Sequence, residues 1–432
     1  MTEKRHQWAS NLGFILAAAG SAVGLGNIWK FPGKVGAYGG GAFLIPYFLF
    51  VALFSYVGLS GEFALGRLTG TGAMGSLDYV LRQRGRRGGR VLGAIPLLGV
   101  LGIAIGYSVV VGWVLRYAAG SLTGSVLAGD AQGFFSALAV DFGSIPWHFA
   151  AVAVTAAILI FGVASGIEKL SKVMMPAFFI LFLIIAVRVA FLPGAMEGYL
   201  YLLRPDWSYL LNPETWVMAM GQAFFTLSLG IGAMAIFGSY IGKERRLFGE
   251  AINVGVLDTC VAFVSGLIIF PSAFAFGVNP GQGPSLIFVT LHNVFNAMPG
   301  GQLWGALFFV FLFFAALSTV TAVFENILAC WMDRFGISRG RAVLANLVLI
   351  FLLSLPCLLG NNLWSGVKAL GMGIMDWEDF LVSNNLLPIG SMIYLLFCCV
   401  SKKYGWGYDH FLEEANQGRG VRFPAQFRLY FK

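Results

Sequence analysis

The stretch LAAAGSAVGLGNIWKFP, Leu16 to Pro32, interrupts the apolar segment that contains it. The flanking residues would carry a helix across a bilayer, yet Gly20, Gly24 and Gly26 fall with Ser21, Ala22 and Asn27 inside about two turns. Each glycine weakens a helix by roughly 1 kcal/mol relative to alanine. Hydrocarbon offers no water to an opened backbone, so unwinding at that depth is tolerated only beside a protein-lined or wet cavity. Close helix packing through small residues is the other reading of such glycines, and this segment alone leaves both open.

A second segment shifts the balance toward unwinding. GQAFFTLSLGIG, Gly221 to Gly232, again mixes Gln222, Thr226, Ser228 and glycines into the midpoint of an apolar run. It stands five helices after the first. Interrupted helices at matching places in two halves point to inverted repeats with a binding site at mid-membrane. Opened carbonyls there can replace the hydration shell of a small hard cation, while half-helix N-termini favour a carboxylate. The pair of breaks therefore suits Na⁺ together with an acid.

Composition agrees with a membrane setting. Of 432 residues 58% are hydrophobic and 11% charged, with a mean hydropathy of +0.79, so most side chains must face lipid or one another. No strand alternation suggests a barrel. The expected fold is an all-α polytopic membrane protein of ten helices in two inverted five-helix repeats, with helices 1 and 6 broken. The spans are 11–36, 41–67, 90–118, 147–164, 167–191, 213–241, 249–276, 303–333, 340–359 and 376–400. The repeats would be 1–192 and 212–401, followed by a cytoplasmic tail, 402–432. The first apolar run is too long for a signal-peptide core and lacks a cleavage site, so it stays as helix 1.

Charge sets the orientation. With the N-terminus inside, 22 of the 28 Lys and Arg fall in the cytoplasmic set, which satisfies the positive-inside rule and puts both termini in the cytoplasm. The run RQRGRRGGR, Arg82 to Arg90, reads as a topology signal touching anionic headgroups and not as a nucleic-acid patch. The loop 277–302, without Lys or Arg, holds an amphipathic stretch from Ser285 to Ala297 that is expected to form a short helix. The five cysteines have no metal-ligand spacing, and His148 and His292 are lone histidines read as surface or packing residues. Neither HExxH nor GxSxG occurs, so no enzyme is indicated.

Four ordered motifs carry a specific likeness: WASNLGFILAAAGSAVGLGNIWKFPGKVGAYGGGAF in helix 1, GIEKLSKVMMPAFF entering helix 5, GQAFFTLSLGIG in helix 6 and FLFFAALSTVTAVFENI in helix 8. Together they resemble the neurotransmitter:sodium symporter family, its bacterial leucine and hydrophobic-amino-acid transporters above all. The resemblance implies Na⁺-driven uptake by alternating access in the cytoplasmic membrane of a bacterium, with two Na⁺ ions, an amino-acid substrate, the lipid bilayer as surroundings, no nucleic acid, and a monomer or weak dimer. A non-transporting amino-acid sensor on the same scaffold is the alternative.

Carried over by position, the first Na⁺ site would use Ala22, Asn27, Thr226 and Asp258 with the substrate carboxylate. The second would use Gly20, Val23, Ala315, Ser318 and Thr319, although Ser318 and Thr319 also read as hydroxyls bonding back along their own helix. The substrate pocket would comprise Ser21, Ala22, Gly24, Leu25, Gly26, Ile103, Tyr107, Phe225, Thr226, Ser228, Ile231, Thr319 and Val323. Tyr107 would bond the carboxylate, Phe225 would lid the pocket, and the aliphatics would face the side chain. Lys30 and Asp379 match the external gate, and Arg5, Tyr240 and Asp333 the cytoplasmic closure.

Particular residues refine the expectation. Family members that carry monoamines hold an aspartate at the position of Gly24, so Gly24 favours a zwitterion, and an apolar one given the aliphatic lining. Asp258 stands where the leucine transporter has asparagine, and Ala262 where chloride-dependent members have serine. A fixed carboxylate would replace chloride, and a carboxylate stripped of Na⁺ in low dielectric would take up a proton, which makes proton counter-transport a further expectation. Glu62 and Glu325 are the other carboxylates at membrane depth. Glu325 is expected to line the inner pathway and Glu62 to pack or to serve the site. Relatives continue into an eleventh helix beyond RGVRFPAQFRLYFK, a segment too short and basic to span.

Overall fold

A computed structural model describes residues 24–432 apart from 72, 127, 128, 140, 141, 162, 240, 282–284, 404, 429, 431 and 432. The side chains of 73, 161–175, 333, 334, 397 and 398 also lie outside the description. Helix 1 enters it at Gly24, runs through a π turn at Gly26–Lys30 and ends as Phe31–Ala37. Helices 2 to 5 are Gly41–Thr69, Gly89–Thr123, Ile145–Phe161 and Val163–Ala190. Helix 6 comes in two pieces, Pro213–Thr226 and Ala233–Gly238. Helices 7 to 9 are Leu247–Ala275, Gly301–Phe335 and Arg339–Leu359. Helix 10 runs from Ile374 to Val400 with two π turns, Val382–Leu386 and Tyr394–Val400.

Expected spans 2 to 10 have their counterparts, with ends shifted by a few residues; of span 1 the part from Gly24 onward does too, and its residues 11–23 lie outside the described residues. Among the described residues five helices (2, 3, 7, 8 and 9) are individually long and apolar enough to cross a bilayer. The reason for the composition is visible on the outside of the bundle. Ile180, Leu183 and Val187 of helix 5, and Leu344, Val348 and Leu352 of helix 9, are exposed at helical spacing. Such outward apolar stripes invert the pattern of a soluble helix and suit contact with lipid.

The core brings helix 1 and the broken helix 6 together. Helix 3 lies along helix 8, and both pieces of helix 6 pack on helix 2. Helix 2 can approach the second piece this closely because residue 66 is glycine; a Cβ there would overlap the carbonyl oxygen of Ala235. The loop helix expected over Ser285–Ala297 is present as Leu286–Asn296, packed against helices 7 and 8 and the short helix Ala131–Ala139. His292 on it is fully buried, and burial pushes its imidazole below the ordinary value, so it stays neutral as a packing residue. His148 is buried too, with Nε2 3.0 Å from Ser108 Oγ.

The segment after helix 10 is docked. Its helix Tyr408–Ala415 packs on helix 2. There the Arg67 guanidinium donates through Nε to Glu414 Oε1 at 2.6 Å, through Nη1 to the carbonyl of Arg245 at 2.6 Å and through Nη2 to the carbonyl of Glu414. Both side chains are almost fully buried. Beyond it, Arg246 N–H donates to the Arg419 carbonyl at 3.1 Å and Arg419 N–H to that of Glu244 at 2.8 Å. Phe423 meets Phe248 with ring centroids 4.8 Å apart.

Removing one partner of a buried ion pair strands the other. Arg67→Ala should lower stability in detergent by roughly 3–5 kcal/mol, whereas a double replacement of Arg67 and Glu414 by methionine should recover most of the loss. Thermal unfolding followed by circular dichroism checks both; equal losses in the single and double variants would contradict the pairing.

Candidate functional site

The break in helix 6 is built by three residues in the left-handed region: Ser228 at φ 53°, Gly230 at φ 84° and Gly232 at φ 71°. They end one helix at Thr226 and restart the next at Ala233. Gly230 also presses on helix 10, where a Cβ would overlap the carbonyl oxygen of Leu387. The opened backbone is not left bare. Glu62 of helix 2 accepts from Gly230 N–H at 2.6 Å, with the amides of Gly232, Met234 and Ala235 around it. Asn326 Nδ2 of helix 8 donates to the carbonyl of Ile231 at 3.1 Å. Glu62 thus serves the break itself.

Helix 1 meets this break side by side. Gln222 Nε2 donates to the carbonyl of Gly26 at 3.0 Å, Leu25 N–H donates to the Tyr107 oxygen at 3.1 Å, and Ser265 Oγ of helix 7 donates to the carbonyl of Asn27 at 2.6 Å. Side chains of helices 3, 6 and 7 therefore hold the first turn of the described part of helix 1.

Beside that turn Asn27, Thr226 and Asp258 are all buried. Asn27 Nδ2 donates to the carbonyl of Asp258 at 2.8 Å and to its Oδ1 at 2.7 Å. Those bonds commit the amide nitrogen and leave two acceptors, Asn27 Oδ1 and Asp258 Oδ2, buried with no hydrogen-bond partner. Buried acceptors are nearly always satisfied. Two orphaned oxygens with the Thr226 hydroxyl alongside form the oxygen set a hard cation takes. Among the described residues no cluster of three His, Cys, Asp or Glu offers a transition-metal site. Ala22, the remaining expected ligand, lies outside the described residues.

Of the second expected set, Ser318 Oγ donates to the Ala315 carbonyl at 2.7 Å and Thr319 Oγ1 to the same oxygen at 3.4 Å. Gly20 and Val23 lie outside the described residues, as do Ser21, Arg5, Tyr240 and the side chain of Asp333.

The expected pocket residues that are described do converge. A Cβ on Gly24 would stand 2.7 Å from the Tyr107 hydroxyl and 2.8 Å from Thr319 Oγ1, and one on Gly26 would stand 3.0 Å from the Phe225 ring. Ile103, Ile231 and Val323 are buried. Half-buried Phe225 is covered by Lys30, whose Nζ lies 3.5 Å from the ring centroid. The same ammonium pairs with Asp379 and donates to Ser383 Oγ at 2.7 Å. Beyond Phe225 lies a cavity of about 410 Å³ lined by Lys30, Lys34, Tyr107, Glu378 and Asp379 among others.

Glu325 is held by a two-pronged bond from Arg339, Nη1 to Oε1 at 2.9 Å and Nη2 to Oε2 at 2.7 Å. Arg339 Nε also donates to the Leu159 carbonyl at 2.8 Å. The carboxylate, through Arg339, ties helix 8 to helices 9 and 4. Sequence reasoning passed over Asn326, Ser265, Lys34 and Ser383. Lys34 carried a signal, since it stands four residues after Lys30 on the same helix face.

The family model for the sodium:neurotransmitter symporter family matches residues 5–132 and 134–432. The chain belongs to the sodium:neurotransmitter symporter family. It is 38% identical over 400 residues to YhdH of Bacillus subtilis (strain 168), an uncharacterized sodium-dependent transporter, covering 91% of this chain and 88% of that one. A second sodium-dependent transporter, from Haemophilus influenzae, is 32% identical over 410 residues and is covered to 89%. The crystal structure of MhsT in complex with L-phenylalanine superposes with a TM-score of 0.91 at 37% identity, over 99% of this chain and 96% of that one. As a family member the protein is a sodium-dependent membrane transporter and not an enzyme.

The break makes its own demand on sequence. Gly230→Ala adds a Cβ where the backbone is left-handed and the Leu387 carbonyl is in the way, so it should destabilise by several kcal/mol. Gly366→Ala, in open space at an ordinary φ, should be neutral. Thermal melts of the two variants beside the parent decide it.

Proposed function

We propose that the protein imports neutral, hydrophobic L-amino acids with Na⁺ across the cytoplasmic membrane of a bacterium by alternating access, without chloride. The observation that carries this reading is the orphaned oxygen pair, Asn27 Oδ1 and Asp258 Oδ2, buried beside the glycine-lined turn of helix 1. A cation there would bind through Asn27, Thr226 and Asp258, and its charge would sit beside Gly24, Leu25 and Gly26. Na⁺ supplies the positive charge that a substrate carboxylate needs when desolvated. Ion and substrate then bind with positive coupling, the root of symport.

The pocket argues for an uncharged substrate side chain. Gly24 brings no counter-charge, and Ile103, Ile231 and Val323 offer only apolar surface to a buried group. L-Phenylalanine in MhsT is consistent with this chemistry. Chloride independence follows from the Asp258 carboxylate and from buried Ala262 one turn away, which offers no hydroxyl. A second Na⁺ would join helix 1 to Ala315, Ser318 and Thr319 of helix 8, and the halves 1–192 and 212–401 would move as inverted repeats about the two breaks.

Proteoliposomes with an inward Na⁺ gradient should accumulate labelled hydrophobic amino acids. Uptake should vanish when K⁺ replaces Na⁺ or Asn27 becomes alanine, and persist when gluconate replaces chloride. Failure of every neutral amino acid to accumulate with Na⁺ would refute the proposal. Gly24→Ala, crowding Tyr107 and Thr319, should weaken substrate binding at least tenfold, about 1.4 kcal/mol. Proton counter-transport by Asp258 has its own readout: a pH dye inside the vesicles should report Na⁺-dependent alkalinisation during uptake, absent in Asp258→Asn, and a flat trace in the parent would dismiss it.

A further inference from the structure

The cavity beyond Phe225 holds more charge than one gating ion pair needs. Lys30 and Lys34 project from one face of helix 1, one turn apart, and both reach the same carboxylate. Lys30 Nζ takes Asp379 Oδ1, and Lys34 Nζ lies 3.2 Å from Oδ2. Like charges at that spacing repel, and the aspartate between them, its Oδ1 also accepting from Ser383 Oγ at 2.8 Å, holds them together.

The residue before it is a second carboxylate with no such duty. Glu378 Oε1 is buried and has no hydrogen-bond partner. Helix 3 makes room for this side chain. A Cβ on Gly106 would stand 2.6 Å from Glu378 Oε2, and one on Gly102 would stand 3.2 Å from Oε1. Two glycines one turn apart thus form a slot in which a carboxylate waits within the electrostatic reach of Lys30.

Opening the pocket requires Phe225 to lift, and Lys30, whose ammonium lies on its ring, must let go of Asp379. A bare separation would leave two poorly solvated charges unpaired. We propose that Lys34 and Glu378 are positioning residues of the gate, which opens by partner exchange: Lys34 keeps Asp379 while Lys30 passes to Glu378. Before the step the two ammoniums share the one carboxylate of Asp379 and Glu378 Oε1 stands without a hydrogen-bond partner; after it each ammonium has a carboxylate of its own. The inference rests on the proposed amino-acid symport, and it adds a second cation and a second carboxylate to the gate.

The test is the rate at which a labelled hydrophobic amino acid leaves the purified protein in Na⁺, measured beside its equilibrium affinity. Lys34→Gln and Glu378→Gln should each slow dissociation at least fivefold while affinity stays equal or tightens, because the open form loses its stabilising pair. Glu378→Asp should recover part of the rate. Lys30→Gln should do the reverse and speed release. A merely structural role for Lys34 or Glu378 would weaken affinity and quicken release, and either that result or unchanged rates overturns the exchange. If the parent protein binds no neutral amino acid in Na⁺, the symport reading falls and the exchange with it; if the parent binds and the variants release at its rate, the exchange alone fails.

Discussion

An unwound backbone at membrane depth must find partners inside the protein, and that constraint organises the whole bundle. Helix 6 stops at Thr226 and restarts at Ala233. The amides and carbonyls freed between them are met by Glu62 from helix 2 and Asn326 from helix 8. The first described turn of helix 1 is held beside that break by Gln222, Tyr107 and Ser265. Each of these side chains is polar, buried and otherwise out of place in an apolar core. For Glu62 and Asn326 that place makes sense with the break in helix 6, which they satisfy.

Once those groups are satisfied, the atoms that remain unsatisfied stand out. Asn27 spends its amide hydrogens on Asp258, which orients both side chains and leaves one oxygen of each without a donor. A rigid pair of acceptors in low dielectric is a poor arrangement for a resting protein and a good one for a dehydrated cation. Family membership supplies the sodium dependence. On the proposed reading the orphaned pair is where this chain spends that ion, and the glycines beside it would leave space for a substrate to share its charge.

Much of this was legible in one dimension. Glycines and small polar residues in the middle of two apolar runs mark the breaks, because hydrocarbon penalises such clusters unless they line a cavity. Asn27, Thr226 and Asp258 could be named as candidate sodium ligands through the resemblance of their motifs to the family's, since many other oxygen-bearing residues lie at the same depth. What stayed hidden depends on distance along the chain. Arg67 and Glu414, 347 residues apart, pair through the docking of a segment whose own sequence reads as a polar tail. Lys30 and Asp379 could be matched to a gate, but the claim of Lys34 on the same carboxylate, and the slot that Gly102 and Gly106 cut for Glu378, arise only when helices 1, 3 and 10 are assembled. The sequence marks Glu325 only as a carboxylate at membrane depth; its pairing with Arg339, from the start of the next helix, shows only when helices 8 and 9 are assembled.

The central claim is that one cation and one substrate share the oxygens and glycines around Asn27. Thermodynamic reciprocity tests it most directly. Titrating a hydrophobic amino acid into the purified protein at a series of Na⁺ concentrations should give an affinity that strengthens as Na⁺ rises, and Na⁺ titrated with and without that amino acid should gain the same factor. An amino-acid affinity indifferent to Na⁺, in a protein that still binds the ion, would contradict the account.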